Sequence, residues 1–560
     1  MNKVWKINKP APKEFLDKFP EYSRLTLQLL WDRGLKTQKA IDEFFNPDYD
    51  QDLHDPFLLK DLQKTLKRIM YAGEKKEKVA IFADYDADGI CGAVLLTEIF
   101  EAIDVCPKIY IPNRNKEGYG LSLEAVKQAA KKGITLALTI DCGVTDFEEI
   151  KLAKKLGMDV IIIDHHEIPQ KLPPAFAVID PKQKKCKYPF KNLSATGVAF
   201  KLVQAFAKTK KIPQRWEKWM LDLVAISTVT DSMLLLGENR TLVKYGLIVL
   251  SQTKRAGLKA IIEKIKTDLN TYVLGFIIGP RINAASRVDH GSTAYGLLVA
   301  PSEAEAREIA QRLEEQNKER QRQMERMLKE ARQRISKYSK KKKIIFEGDR
   351  DWMAGIIGLV AQKLSNEFWK PCFIYQETGD RCVGSVRGIP GFDAVKVLTK
   401  CRKFLLEFGG HYGAAGFRLL SKDLKKFHDL LEKHSDKELQ KEELIPYLNI
   451  DAETKASDLN WEMFEQIEKF EPFGEGNSRP LFLLRRVGVS GMRNVGSNGN
   501  HLKLLLEKDS KQFSAIGFNL VDVCDKIKIG DTIDIVFEMI NNEWNGNKEL
   551  QLKIIDLKKT

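Results

Sequence analysis

Asp84, Asp86 and Asp88 stand at alternate positions at the end of an apolar run, Val79-Ala-Ile-Phe-Ala-Asp-Tyr-Asp-Ala-Asp-Gly89. Three carboxylates so close repel one another, at a cost on the order of several kcal/mol at moderate effective dielectric. Either they decorate a solvated acidic turn or they hold cations. Further along, Asp141-Cys142-Gly143, Asp164-His165-His166 and Asp231 repeat the motif of an acid or imidazole directly after an apolar segment. A His-His pair alone is ordinary surface decoration, but a third such cluster in the same setting points to a shared site.

The segments that must position these groups are short and apolar. Residues 79–83, 136–140 and 159–163 have the composition of buried strands, and Gly89 lets the chain turn into an apolar-periodic helix over 90–100. From Pro56 onward such strands alternate with helical patterns, which predicts an α/β fold around a parallel sheet. In an open parallel sheet ligands bind beyond the carboxyl ends of the strands, where the strand order reverses. A fourth strand over 177–179 ends in Asp180, a turn residue. Residues 221–230 form a buried helix that ends at Asp231, while Asp222 near its start suits a structural hydrogen bond. The loop over 113–121, with Arg114, Lys116 and Tyr119, faces either substrate or plain solvent.

The resulting donor set is rich in oxygen, with one or two imidazoles and no thiolate. It suits octahedral Mn²⁺ or Mg²⁺ better than tetrahedral zinc. A carboxylate shared by two cations is the arrangement of two-metal phosphoryl-transfer centres.

Taken in order, Asp84-Tyr-Asp86-Ala-Asp88-Gly89, Asp141-Cys-Gly143, Asp164-His165-His166 and Asp231 resemble the four motifs of the DHH phosphoesterase superfamily. The resemblance implies that Asp86, Asp88, Asp141, His165 and Asp231 hold two manganese or magnesium ions, with Asp141 bridging. It implies that His166 contacts the scissile phosphate or helps proton transfer, and that Asp84 and Asp164 support the site. One position departs from the pattern. Some members carry a histidine ligand four residues before Asp86, where this chain has Phe82, and Asp84 would then supply the missing ligand.

The second half adds anion-binding chemistry. Arg281 and Asn283 lie in a glycine-punctuated stretch over 275–287, which serves either phosphate oxygens or interdomain packing. Residues 302–338 predict a long, largely solvent-exposed helix of roughly 50 Å that bridges two domains. Trp352 to Ala361 reads as a glycine-marked helix start, and Gly384-Ser385-Val-Arg387-Gly388 and Gly409-Gly410-His411-Tyr-Gly413 as small-residue loops. All three resemble the DHHA1 domain that follows DHH domains, which implies that Ser385, Arg387 and His411 face the metal site. Many relatives carry a histidine after the tryptophan; here it is Met353, and no chemistry is assigned to it. Five short strands within 481–557 predict an OB-type barrel, a fold that grips single-stranded nucleic acid, with Arg485, Arg486, Arg493, Lys503 and Lys511 to supply charge. A small barrel acting as an interdomain prop is the alternative.

At 560 residues the chain is too long for one core. The expected domains are a lead-in over 1–55, a DHH domain over 56–300, a linker helix over 301–340, a DHHA1 domain over 341–445 and an OB-fold over 446–560. A formal charge of +14 favours a polyanionic partner. Eight scattered cysteines without a C-x-x-C pair fit reduced thiols. No apolar leader or 18-residue apolar run occurs, so a cytoplasmic chain is expected, and with nothing to indicate oligomerisation a monomer is the default. The joint order of motifs resembles the branch of the superfamily that degrades single-stranded DNA from its 5′ end, releasing mononucleotides in repair and recombination. That resemblance implies single-stranded DNA as substrate, with a helicase and a single-strand-binding protein as companion partners. Two other functions compete: a phosphodiesterase acting on very short oligonucleotides or cyclic dinucleotides, and a catalytically silent DNA-binding scaffold.

Overall fold

The computed structural model describes residues 3–114, 117–338, 342–439, 444–496, 499–520, 526–544 and 546–560; Lys116 and Cys524 lie outside them. The chain divides into two units, one of residues 53–233 and 241–446, the other of residues 1–52, 234–240 and 447–560.

The larger unit is built on five parallel strands. They are β1 (Val79–Ala83), β2 (Lys108–Tyr110), β3 (Leu136–Ile140), β4 (Asp159–Ile163) and β5 (Ala177–Ile179), in the order β2-β1-β3-β4-β5. Every residue of β1 and β3 is buried, as continuous apolar strands covered on both faces require. The order reverses between β1 and β3, and the loops that follow these two strands carry Asp84, Asp86, Asp88 and Asp141. Helices α1 (Ala87–Glu101), α2 (Ala195–Lys210) and α3 (Leu221–Thr230) pack together beside the sheet. Asp222 on α3 accepts from Thr253 Oγ1 at 2.7 Å and faces Arg255 at 3.5 Å, and Asp180 accepts from the Lys182 amide. These contacts match the turn and structural hydrogen-bonding places expected for Asp180 and Asp222.

Helix α4 (Gly279–Val288) leads to the long helix α5 (Glu303–Ile335), whose Ser302 caps it by accepting from the Glu305 amide. As expected, most of α5 is exposed or half-buried, with 10 of its 33 residues buried. Ala306, Ala310, Leu313, Met324, Met327, Leu328, Ala331 and Ile335 form a buried stripe along α5, since a helix of mostly charged residues still docks through whatever apolar face it has.

The second sheet contains β6 (Ile345–Asp349), β7 (Cys372–Thr378), β8 (Arg381–Arg387), β9 (Leu405–His411) and β10 (Ala414–Leu420), in the order β9-β10-β8-β7-β6. Helix α6 (Ala354–Phe368) packs on β7 and β8. The two expected small-residue loops lie in strands: Ser385 and Arg387 are in β8, and Gly409 to His411 end β9. Glycine is needed within β8 because a Cβ at Gly384 would lie 2.0 Å from the Phe417 ring. Trp352 is fully buried and its Nε1 donates to Glu330 of α5 at 2.7 Å, which ties this sheet's first helix to the long one.

In the smaller unit, β11 (Phe482–Val495), β12 (His501–Lys508), β13 (Lys511–Gly517), β14 (Thr532–Trp544) and β15 (Asn547–Lys559) form a barrel in the order β11-β12-β13-β15-β14, closed by pairing of β14 with β11. The lead-in shares this core: Phe15, Leu27, Leu30 and Phe44 cluster with Phe482, Leu504 and Phe537. Arg240 is buried here, donating to the carbonyls of Phe44, Lys469, Phe470, Glu471 and Pro472 at 2.6–3.5 Å with its guanidinium over the Phe44 ring.

Candidate metal centre

Asp86 caps the first turn of α1 by accepting from the amides of Asp88 and Gly89. Gly89 is required, since a Cβ there would sit 2.5 Å from the Asp84 carbonyl oxygen. Asp88, on that turn, is held by the start of α2: its carboxylate accepts from the amides of Ala195 and Thr196 at 2.7 Å each and from Ser227 Oγ at 2.5 Å. A helix start supplies free N–H groups and partial positive charge to such an anion. Asp141 adopts the left-handed conformation at φ 62°, a costly arrangement for a non-glycine residue that turns it back over the sheet edge. Asp231 caps the end of α3.

These elements converge. His165 Nε2 lies 3.3 Å from Asp141 Oδ1, 3.5 Å from Asp231 Oδ2 and 3.8 Å from Asp88 Oδ2. Asp84, Asp86 and Asp141 each offer an oxygen within 4.8 Å of the others. Thus all five expected ligands and Asp84 come together. Phe82 does not: it is buried on β1 in the apolar core, against Tyr110, so it offers nothing to the cluster.

His166 lies beside this group. Its Nδ1 is 2.7 Å from Asp164 Oδ1, which also accepts from the amides of His165 and His166. Burial disfavours the imidazolium of His166, but the bond to Asp164 and its charge outweigh burial and hold the pKa above the usual histidine value. The ring of His411 stacks parallel to that of His166, with centroids 6.0 Å apart. Ser385 Oγ accepts from Arg387 Nη1 at 3.0 Å, and both groups press on Gly358 of α6, where a Cβ would meet each at 3.1 Å. Asn283 accepts from the Ala87 amide at 2.8 Å and so holds the first acidic loop. Arg281 is turned elsewhere, onto Glu314 of α5 at 2.7 Å and the Ile277 carbonyl at 2.7 Å.

The carboxylates fit divalent cations on physical grounds. Burial, then repulsion from Asp88, Asp86 and Asp84, pushes Asp231 up to about 9. Asp84 and Asp141 are raised well above the carboxylate range by the same two causes. Asp84 Oδ1 and Asp141 Oδ1 are buried with no hydrogen-bond partner among the described residues, a costly state for an acceptor unless a cation receives it.

Sequence inspection missed the grips on this cluster. Ser227 and the α2 start secure Asp88, and Tyr119 Oη donates to the Asp141 backbone oxygen at 2.8 Å. Only Ser194, a capping residue ahead of an apolar-periodic helix, signals the α2 start in the sequence. Arg114, over the Tyr85 ring, also bears on the cluster.

Parallel sheet, acid-imidazole cluster and companion domain define a metal-dependent phosphoesterase of the DHH class. The DHH family N-terminal domain matches residues 78–228, the DHHA1 domain residues 341–436 and the RecJ OB domain residues 450–556. The chain belongs to the RecJ family of single-stranded-DNA-specific exonucleases. It is 34% identical to the RecJ exonuclease of Bacillus subtilis over 559 residues, 99% of this chain and 70% of that protein. With the Haemophilus influenzae enzyme it shares 30% identity over 93% of this chain and 94% of the other. The crystal structure of Thermus thermophilus RecJ in complex with Mn²⁺ superposes with a TM-score of 0.86 at 26% identity, covering all of this chain and 80% of that one.

Proposed function

We propose that this exonuclease degrades single-stranded DNA from the 5′ end, releasing 5′-mononucleotides, and that the acid-imidazole cluster is its hydrolytic centre. The observation that carries this reading is the convergence of five acids, Asp84, Asp88 and Asp141 buried and Asp86 and Asp231 half-buried, with His165, an arrangement whose mutual repulsion bound cations would relieve. In it, Asp86, Asp88, Asp141, His165 and Asp231 would hold two Mn²⁺ or Mg²⁺ ions, with Asp84 completing the set where Phe82 offers no ligand. Such ions would supply an activated water and neutralise charge developing on the phosphate.

The chain's own groups do the rest. Asp164 fixes the His166 ring through Nδ1, leaving Nε2 to exchange a proton with the reacting phosphate or leaving oxygen. Tyr119 and Asn283 hold the loops of Asp141 and Asp86. Ser385, Arg387 and His411 take the phosphate at the strand end. Burial, then the Arg114 charge, lowers the Arg387 pKa, as expected of a guanidinium awaiting an anion. Arg281 serves by bracing α4 against α5. In this reading the DHH domain spans 56–300, the linker helix 301–340, the DHHA1 domain 341–445 and the OB barrel 446–560, which grips the strand, while the lead-in over 1–55 contributes to the barrel's core. Among the described residues no helix is long and apolar enough to cross a membrane. The reading places the chain in the cytoplasm as a monomer acting in repair and recombination, supplied with single strands by a helicase and a single-strand-binding protein.

The test is digestion of a long strand carrying different labels at its two ends, single or annealed as a blunt duplex, with Mn²⁺, Mg²⁺ or EDTA. Immediate metal-dependent release of the 5′ label as mononucleotide, from the single strand alone, is expected. Early release of the 3′ label, or equal cutting of the duplex, would refute the proposed polarity or strand preference.

A further inference from the structure

Tyr272 and Phe276 are two large aromatic side chains that the fold leaves in solvent, 62% and 70% exposed, with Phe276 the most exposed large hydrophobic residue among those described. Their rings stack on each other with centroids 5.0 Å apart and an interplanar angle of 25°. Leaving two large aromatic rings in water forgoes the gain of burying them, a standing cost to the isolated protein. Their place explains what they await. They lie on a continuous helical segment in which Thr271–Val273 runs through a π-helical turn, Leu274–Ile278, directly into α4. π-turns recur at functional sites.

The inner face of that segment is pressed on the metal centre's own scaffold. A Cβ at Gly279 would lie 2.2 Å from Thr230 Cγ2, and one at Gly275 would lie 3.5 Å from Val229, the two residues that precede Asp231. Positions 275 and 279 therefore face inward, and positions 272 and 276, with the same spacing of four, face outward. Seven residues beyond Phe276 on the same segment, Asn283 holds the loop of Asp86. At a rise of about 1.5 Å per residue that is roughly 10 Å, or about three base steps of a stacked strand. Charge indicates the same occupant. Arg287, farther along α4, is lowered to about 9 by burial and by the guanidiniums of Arg114, Arg320 and Arg387, an array that suits a polyanionic backbone.

We infer that Tyr272 and Phe276 form a stacking platform for bases of the single strand about three nucleotides from the attacked phosphodiester, holding the strand in register between cuts. This rests on the proposed exonuclease function. A platform of this kind is indifferent to sequence, since every base has a π-face, and it adds nothing for a substrate too short to reach it.

The experiment compares wild type with Tyr272→Ala/Phe276→Ala and with Phe276→Tyr. KM and kcat are measured on a long single strand, on a dinucleotide, and on strands with one abasic site at the first to the sixth nucleotide. For the alanine pair, KM on the long strand should rise about ten-fold or more with kcat unchanged, as loss of one or two base stacks implies. Dinucleotide cleavage should be unaffected, and Phe276→Tyr should behave as wild type. An abasic site near the third or fourth nucleotide should weaken wild type by a similar factor and leave the alanine pair indifferent. In EDTA, where nothing is cut, 2-aminopurine at that position should be quenched on binding by wild type and not by the pair. Equal KM values, or abasic sensitivity that persists in the alanine pair, would overturn the platform while leaving the exonuclease intact. A wild type that cuts no strand would overturn the function itself, and the platform with it.

Discussion

Asp231 carries the clearest consequence of crowding acids into one buried place. Its pKa of about 9 in the metal-free fold, against about 3.9 in an unfolded chain, means that the fold keeps a proton which the unfolded chain releases. The stability tied to that proton is complete below about pH 4 and is lost as pH climbs toward about 9. EDTA-treated protein should therefore melt at a lower temperature near pH 8 than near pH 6, and Asp231→Asn should flatten the slope. A melting temperature independent of pH over that interval, in wild type, would contradict the account. Ser227 acts one step away, since its hydroxyl donates to Asp88. Ser227→Ala should raise the Mn²⁺ concentration for half-maximal activity by roughly ten-fold while leaving the rate at saturating metal close to wild type. An unchanged metal titration would show that Asp88 needs no such support. The identity of these acids was legible from type and spacing alone, because nothing but a cation or solvent tolerates three carboxylates in five residues. The grips on them were not. Ser227 sits in an apolar helix with no mark of its role until α3 is packed beside α1 and α2.

At the scale of elements, strands β1, β3 and β4 were readable because strands buried on both faces must be continuous apolar runs, and each run ends where its acid begins. Strands β8 and β9 were not, since Gly384, Gly409 and Gly410 dilute the pattern. At Gly384 the Phe417 ring forbids a side chain, a demand that comes from a neighbouring strand 33 residues away. The buried stripe of α5 was likewise hidden by its charge. One element-scale prediction concerns the first acidic loop. Gly89→Ala puts a methyl 2.5 Å from the Asp84 carbonyl and must move the turn carrying Asp86 and Asp88. Activity should fall at least about a hundred-fold, in line with the sensitivity of catalysis to misplacement near 1 Å. Near-wild-type turnover would mean that the loop is far more tolerant than its packing indicates. A second prediction concerns Arg240, which donates to five backbone carbonyls in the smaller unit. Arg240→Met strands those acceptors and should cost at least about 2 kcal/mol, read as a lower denaturant midpoint for that unit. An unchanged midpoint would show that water replaces the guanidinium freely.

Across the whole molecule, three compact folds were foreseeable from strand and helix patterns. The partnership of residues 1–52 with the barrel was not, because the two stretches lie some 400 residues apart in sequence and share a core only once folded. The central claim is that one acid-imidazole cluster on the parallel sheet performs the hydrolysis, and Asp141 stands at its middle. The most direct measurement is release of mononucleotide from a 5′-labelled single strand by wild type and Asp141→Asn, both with saturating Mn²⁺ and both shown folded by circular dichroism. The account predicts loss of at least about a thousand-fold in rate for the variant with the strand still bound. A folded Asp141→Asn protein that cuts at a rate near wild type would contradict it.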